Sequence, residues 1–432
     1  MRRPAGVPAR VVVTDLYGVV TTWLSGKSLL NATATVNLDL PSQITVDVRS
    51  GDISVNTIFP TDGNPLVAQS NRLAYIFLNE APTAVSVDDR WPCRASGILM
   101  SPDDQGDADI STTHFTAYDP WQYFMGLPCF ADEVGTPIPQ IGLTFSAAGN
   151  VIAFQLIENT YKSLLYLGLC PTGATGPPIA GPGFYADIPN AYGGSGFWAG
   201  TDATTPTLDF IVQQGTSLGQ ALQNLASAGN DVQGTSQCID IIFEAIYDPM
   251  NRPGFVSQVS VYNLAGAERP GAPMGWGRFN RSAMGAERQH DGTPTAFVNV
   301  AQYVAGQGGD LALVTPVTIP AVIAKYGSSW DQKFFPGQPF ATVTNNLAIQ
   351  TLNLQGQGKR TFLVDPDPLR AGMPFRDYGI GDRIPIWTTS KQRVPEEGYE
   401  RVQTIPLVIN SDGVAYVSKL LVSPDWPGDQ LT

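Results

Sequence analysis

Short runs of alternating apolar and polar residues recur along most of the chain, and each predicts a half-buried strand. The cleanest is Ala34–Pro41, where Val36, Leu38 and Leu40 fall on the inward side of the pleat. Val11–Val20 predicts a strand carrying a tight turn at Asp15-Leu16-Tyr17-Gly18. Ile44–Val48, Arg72–Leu78, Trp91–Met100 and His114–Tyr118 follow, and Cys238–Ile246, Val256–Val261 and Ala296–Val304 repeat the pattern later. The most legible unit is the last, Tyr378–Val422. There Ile384 and Ile386 share one face of a first strand, and Ile405, Leu407 and Ile409 share one face of a second, Arg401–Ile409. A third strand, Val414–Val422, returns after Asn410-Ser411-Asp412-Gly413, a turn with glycine where positive φ is needed.

Helical periodicity is confined to the middle and to one late stretch. Ile152, Leu156, Ile157, Tyr161, Leu164 and Leu165 recur at three- and four-residue steps, predicting a helix over Val151–Leu167 capped by Asn150. Ser217 and Gln220 have the spacing of a capping box, ahead of an apolar face at Leu218, Ala221, Leu222 and Leu225 and a stop at Gly229. Phe340–Leu354 offers a weaker helix through Phe340, Val343, Leu347 and Leu354. Between the elements lie three loops. One is the acidic stretch Ser101–Asp109, and another is Pro171–Thr207, rich in Gly and Pro. The third, Gly266–Thr295, carries Trp276, Arg278 and Arg281; a loop of that length signals an interaction surface. These readings give a mainly β chain with a small α+β insert. The segments are a β-barrel-like domain at 1–142, an α+β domain at 143–240, a second β-barrel-like domain at 241–365 and a C-terminal antiparallel β domain at 366–432.

Composition narrows the function classes. A chain of 432 residues exceeds one ordinary core, and 43% hydrophobic with 15% charged residues is globular. So low a charge fraction suits a surface covered by partners. The net charge of −13 excludes a tight grip on nucleic acid, because a negative wall repels phosphate. Cys93, Cys129, Cys170 and Cys238 are widely spaced and form no C-x-x-C pair, as expected of free thiols in a reducing compartment. No stretch reaches the roughly 18 apolar residues of a membrane helix, and Arg2-Arg3 lacks a following apolar core, so the expected product is soluble and made in the cytoplasm.

Candidate chemistry is thin. His114 and His290 are the two histidines, and neither sits in a metal or catalytic spacing. Gly193-Gly194-Ser195-Gly196-Phe197 approaches a nucleophile elbow but has Phe197 where the second glycine belongs. Gln307-Gly308-Gly309-Asp310 lacks the Lys-Ser/Thr of a phosphate loop. Asp103, Asp107 and Asp109 around Gly106 hint at calcium, yet the twelfth position holds His114 and no glutamate. The aromatics Phe184, Tyr185, Tyr192, Phe197 and Trp198 could stack on sugar or anchor their own loop. The sequence therefore assigns no catalytic residue, no metal ligand and no cofactor site.

The order of the parts resembles a known family. A strand running into a tight turn (Val12–Gly18) precedes an alternating strand ending in Leu40-Pro41. Phe115-Thr116-Ala117-Tyr118-Asp119-Pro120-Trp121 leads into the helix-containing part, and Tyr378-Gly379-Ile380-Gly381-Asp382-Arg383-Ile384 leads into a final hairpin containing Arg401-Val402. This arrangement resembles the minor tail or tail-tip hub proteins of siphophages infecting actinobacteria, related in fold to the baseplate hub of contractile-tailed phages. The chain departs from the family at Leu127-Pro128, where an arginine often follows the Asp-Pro helix start. The resemblance implies two related β-barrel domains and a homotrimeric ring that closes the tail tube at the virion tail tip. It implies contacts with the distal tail protein, the tape-measure protein and tip or fibre proteins, with DNA passing through the lumen at ejection. It implies no enzyme activity and no membrane insertion by this chain. Two other roles remain open: a carbohydrate-binding receptor module using the 184–198 aromatics, and a tail-associated cell-wall hydrolase.

Overall fold

The computed structural model describes residues 6–14, 20–24, 28–50, 73–78, 93–99, 103–106, 111–169, 179–181, 184–185, 205, 207–229, 239–247, 255–275, 282–291, 298–307, 310–311, 316–336, 344–345, 348–349, 352, 359–367, 369–387 and 397–423. The N-terminal part is all strand: β1 (Val7–Thr14), β2 (Val20–Leu24), β3 (Leu29–Asn37), β4 (Gln43–Arg49), β5 (Leu73–Leu78), β6 (Cys93–Leu99), β7 (Asp103–Gly106) and β8 (Ser111–Tyr118). Helices then mix with strands: α1 (Pro120–Phe124), β9 (Leu143–Ala148), α2 (Gly149–Tyr166), β10 (Ile179–Gly181), β11 (Phe184–Tyr185), β12 (Thr207–Val212), α3 (Leu218–Gly229), β13 (Ile239–Tyr247) and β14 (Phe255–Asn263). Next come β15 (Met274–Gly275), β16 (Ala283–Asp291), β17 (Val300–Gln307), β18 (Asp310–Leu311), β19 (Val317–Thr318), α4 (Pro320–Tyr326) and β20 (Trp330–Pro336). The chain closes with β21 (Lys359–Pro366), β22 (Arg383–Trp387), β23 (Glu397–Asn410), β24 (Val414–Val417) and β25 (Leu420–Ser423).

The first and last parts of the chain build one barrel together. Antiparallel pairings run β1 to β5, β5 to β6, β6 to β8, β8 to β4 and β4 to β3. β23 then lies beside β3, with Thr404 opposite Asn37 and Asn410 opposite Asn31, and β24 links β23 back to β1. The circuit is closed at eight strands. A barrel of that size has an interior just wide enough for side chains to fill. Here Phe115 is matched by Ala32, Ala34, Ala95 and Ala117, with Val11, Val46, Ile405, Leu407 and Ile409 completing one buried cluster. Closure removes the free edges that would otherwise template aggregation.

β23 is shared with a second sheet, ordered β16-β21-β25-β23-β22-β15. Its first half pairs with β22 and its second half with β3 and β24, and a register irregularity between Val402 and Thr404 separates the two uses. At about 3.4 Å per residue, 14 residues span roughly 45 Å, enough to serve both sheets. The hydrophobic cluster runs on without a break into Phe362, Val364, Ile384, Ile386, Val402, Leu420 and Val422.

A second core belongs to the α+β part. The buried faces of α2 (Ile152, Leu156, Tyr161) and α3 (Leu218, Leu222, Leu225) meet the hairpins β9–β12 and β13–β14. Trp121 and Phe124 both pack on Phe243, at 5.5 Å between ring centroids, and the Trp121 indole N–H donates to the Gly219 carbonyl at 3.1 Å. A third, small core puts Ala301 and Tyr303 of β17 against Ala348 and Leu352.

Several expectations hold. The helix after Asp119-Pro120 forms, with the Gln122 N–H donating to the Asp119 carboxylate at 3.2 Å. Ser217 caps α3 by accepting from the Gln220 N–H at 3.2 Å, but the Gln220 side chain donates forward to Asn224, so the box is half made. Gly413 has φ 73° at its turn. Other expectations are corrected. Leu40 is 55% exposed, not inward: β3 ends at Asn37 and Asp39 turns with φ 54°, so the two-residue parity is lost. Asn150 lies inside α2 and bonds Thr205 across the fold, so it is no cap. The acidic loop contains β7, and the long loop 266–295 contains β15 and the nine-residue β16, which holds His290. Val414–Val422 is two strands, because β24 joins β1 while the next strand, β25, joins β21. Residues 344–345, 348–349 and 352 are helical, while Phe340, Val343, Leu347 and Leu354 lie outside the described residues.

Candidate functional site

The sequence candidates do not converge. His114 sits on the outer face of β8, its Nδ1 2.6 Å from Asp47 Oδ1. That pair could orient a base. The register partners of its neighbours are Thr113 with Val48 and Phe115 with Val46, and Thr113 itself donates to Ser50. Gln307 and Asp310 face each other in the β17–β18 pairing, while Gly308 and Gly309 lie outside the described residues. Asp103 and Gly106 belong to β7, paired to β8, while Asp107 and Asp109 lie outside the described residues. Phe184 and Tyr185 form β11 against β10; the elbow-like 193–197 stretch, Tyr192, Trp198, Trp276, Arg278 and Arg281 lie outside the described residues. Among the described residues, no three His, Cys, Asp or Glu side chains gather as a metal site would require. Cys129 is a free, buried thiol, and burial pushes its pKa up to about 12, the opposite of a nucleophile.

Charged chemistry concentrates elsewhere, where the barrel, the α+β part and the second sheet meet. Arg401 on β23 is 2% exposed. Its Nη2 donates to Asp240 Oδ2 at 2.5 Å and to the Ala265 carbonyl at 3.1 Å, and its Nε donates to the Gly381 carbonyl at 3.2 Å. Asp240 is wholly buried on β13 and also accepts from the Ala265 N–H at 2.5 Å. From the other side comes Asp39, in the turn after β3, whose Oδ1 accepts from the Ile241 N–H at 2.8 Å. Burial pushes the Asp39 carboxyl well above the usual carboxylate range, the negative Asp240 adds to this, and the Ile241 N–H and Arg401 only partly oppose it.

The Gly-Asp-Arg segment seats this junction. Asp382 is 4% exposed and accepts from the Ala267 N–H and the Gly379 N–H, each at 2.7 Å, and from Arg269 Nε at 2.9 Å. Gly266 and Gly381 both adopt positive φ and their backbones touch: a Cβ on Gly266 would stand 2.3 Å from the Gly381 carbonyl carbon. Only glycine fits there. Arg383 then donates to Glu268 at 2.8 Å and lies over the Tyr399 ring at 5.4 Å. A further buried carboxyl, Asp119, ties the β3–β4 turn to α1 by accepting from the Ser42 N–H at 2.6 Å. Burial raises it to about 7 although backbone donors hold it down.

Asp240, Asp382 and Arg401 are buried, hydrogen-bonded to backbone and distributed over different structural parts, an arrangement that fixes relative position. The sequence reading missed Asp39, Asp240 and Arg401 as a set, since 161 positions separate Asp240 from Arg401. The available signal was local: an Asp in the apolar run Ile239–Ile242.

No protein-family model matches the sequence, and no curated protein matches it. Solved structures do match in fold. The tail protein from Neisseria meningitidis superposes with TM-score 0.54 at 10% identity, over 98% of this chain and 99% of that one. The 43 kDa tail protein of prophage MuSo2 from Shewanella oneidensis gives TM-score 0.50 at 11% identity, over 98% of this chain and 100% of the other. The chain therefore shares the mainly β fold of these tail proteins over nearly its whole length.

Proposed function

We propose that this chain is a structural, non-enzymatic protein of a phage tail tip. It would form a homotrimeric hub that closes the tail tube, joins the distal tail protein to tip or fibre proteins, meets the end of the tape-measure protein and lets DNA pass at ejection. The observation that carries the reading is the end-to-end match to the Neisseria tail protein, which leaves neither chain with a large unmatched domain. Three physical features support it. The acidic balance of −13 suits a conduit that must not retain DNA. The polar groups of the junction are committed to holding parts together. Large apolar side chains stand exposed on β20, with Trp330 at 57% and Phe334 at 54%, as expected of a subunit that buries surface against neighbours.

In this reading 1–142 and 366–432 contribute the barrel strands, 143–240 the α+β part, and 241–365 most of the second β region. The siphophage assignment and the tail-tip position belong to the same proposal. Two measurements test it. Sedimentation of the purified chain, alone and mixed with the co-encoded tail proteins, is expected to give a threefold mass in at least one of the two. Imaging of virions carrying an epitope on this chain is expected to place label at the tail tip. Label absent from virions, or a strictly monomeric chain under both conditions, overturns the reading.

A further inference from the structure

Two groups of exposed large apolar side chains stand on different parts of the chain, and the chain itself covers neither. Trp330 and Phe334 lie on one face of β20. Val134, Tyr166, Leu167 and Leu169 gather at the C-terminal end of α2, where Tyr166 is 70% and Leu169 66% exposed. We propose that these are the two halves of one contact between copies: the β20 face of each subunit docks on the α2 end of the next. The inference rests on the trimeric-ring reading above and names the surfaces that close the ring.

Local geometry builds each half. β20 runs parallel to β17, with Trp330 opposite Val300 and Phe334 opposite Val304. Alternation sends Trp330, Gln332 and Phe334 to one side of the strand and Asp331 and Lys333 to the other. Both charges are engaged on that other side: the buried Tyr303 hydroxyl donates to Asp331 and accepts from Lys333 Nζ at 3.0 Å, and Lys333 lies 2.9 Å from Asp331. On the aromatic side the Gln332 amide, between the rings, donates to Gln302 at 3.0 Å. Four residues of strand set the two rings roughly 13 Å apart. At the other half, α2 stops at Gly168 with φ 69°, and the Leu169 N–H returns to the Leu164 carbonyl at 2.8 Å. In such a helix stop the apolar residue after the glycine commonly folds back on the last turn, yet Leu169 stands mostly in solvent. Ser163 fastens the 132–135 turn beside it, donating to the Asp132 carbonyl at 2.7 Å and accepting from the Gly135 N–H at 2.9 Å. A Cβ on Gly135 would stand 3.1 Å from Leu167 Cδ1, so Val134 extends the same patch.

Charge and symmetry select a second copy as the occupant. The chain carries −13 overall, so two copies repel except where their signs differ locally. They differ here. Residues 132–169 hold Asp132, Glu133 and Glu158 against Lys162, a net of −2, whereas 316–336 hold Lys325 and Lys333 against Asp331, a net of +1. Each segment therefore repels its own duplicate and attracts the other. A two-fold contact of either patch with itself sets like signs together; a head-to-tail contact sets unlike signs together. Head-to-tail contacts whose rotation closes make rings. Trp330 and Phe334 supply the aromatic anchors that dominate the centres of such interfaces.

Sedimentation of the full chain, in the condition that gives the wild type its threefold mass, tests the pairing with two variants. One carries Trp330→Ser and Phe334→Ser, the other Tyr166→Ser and Leu169→Ser. All four side chains are exposed, so both proteins are expected to keep the wild-type unfolding midpoint. Each alone is expected to lose the trimer, with association weakened at least about tenfold. Mixed in equal amounts they are expected to form a heterodimer and no ring, because the intact α2 end of the first meets the intact β20 face of the second only once. A variant that stays trimeric overturns the proposal, and so does a mixture that stays monomeric. Lys325→Glu leaves every apolar side chain in place and reverses the sign of 316–336; it is expected to weaken the trimer more at low salt than at high salt. A salt dependence identical to wild type also overturns the proposal. A wild type that is monomeric in every condition overturns the hub reading and this inference together, whereas trimeric variants overturn this inference alone.

Discussion

Gly266→Ala should uncouple the second sheet from the α+β part at little cost to either core. Gly266 has φ 91°, in the region that costs an L-residue roughly 1–2 kcal/mol. Its added Cβ would meet backbone: the Gly381 carbonyl carbon at 2.3 Å, the Gly381 oxygen at 2.4 Å and the Asp382 nitrogen at 2.5 Å. No flexible side-chain end is available to yield, so the two backbone segments must separate, an overpacking cost of about 1–3 kcal/mol. Separation also strains the bonds that cross here, from the Ala267 N–H to Asp382 and from the Arg383 N–H to the Ala267 carbonyl at 3.0 Å. The combined destabilisation is about 2–5 kcal/mol. Gly271→Ala is the control, five residues along the same segment, with nothing within 4 Å of an added Cβ and no positive φ. It should change stability by less than about 0.5 kcal/mol. Urea unfolding followed by tryptophan fluorescence compares the two. Equal midpoints for both variants would refute the claim that this close approach joins the parts.

Other outcomes are expected from the same geometry. Arg401→Met leaves Asp240 buried without its cation and should destabilise by about 3–5 kcal/mol; the double variant with Asp240→Asn should recover a large part of that, and a simple sum of the two single effects in a denaturation cycle would contradict the ion-pair account. Asp119, raised to about 7, makes the folded state keep a proton that the unfolded chain has lost above pH 4. Stability should therefore fall between about pH 4 and pH 7, by an amount on the order of 4 kcal/mol, and Asp119→Asn should flatten that slope in pH-dependent melting. Cys129 should remain unmodified by iodoacetamide in the folded protein, as read by peptide mass mapping, and become labelled only in denaturant. Trp330→Ser should leave the unfolding midpoint within about 0.5 kcal/mol of wild type, because that indole is more than half exposed; a large loss would mean the side chain is packed within the chain.

What the sequence made legible was local and periodic. Ile384, Ile386, Ile405, Leu407 and Ile409 are all buried as their alternation predicts, and so are the four residues assigned to the face of α3, to which the structure adds Ala226. Alternation says which side of a strand is wet, but it does not name the strand beside it. Nothing in Thr404–Asn410 identifies Asn31–Asn37 as its partner, since any apolar alternating strand presents the same pattern. β16 was hidden for a different reason. Ala283–Asp291 carries Glu287, Arg288, Gln289 and His290 in succession, a polar stretch read as loop, yet it pairs with β21 over eight partners because backbone hydrogen bonds need no apolar side chain. The buried acids were unreadable for a third reason. An aspartate in sequence looks the same whether solvated or enclosed, and Asp39, Asp240 and Arg401 acquire meaning only when three distant segments meet.

That meeting also explains the opening and closing strands of the chain. Thr404 donates to Asn37 across 367 positions, so the barrel cannot close until nearly the whole chain exists. The α+β part has no such dependence. Its core lies between Trp121 and Val261, and its hairpins β9–β12 and β13–β14 close within it. The unit inserted between the two halves of the barrel can therefore form first and hold Asp240 in place on β13. β23 then has two tasks on arrival: Ile405, Leu407 and Ile409 fill the barrel, and Arg401, six positions from the strand middle of that filling at Leu407, finds its carboxylate. A strand with only the apolar half of this pattern could slip by two residues and still bury isoleucine and leucine. Arg401 forbids the slip, because moving it about 7 Å along the strand would strand both charges in the interior. The buried ion pair acts as the register pin of the closing strand, and the glycine contact at 266 and 381 leaves room for the strand to seat.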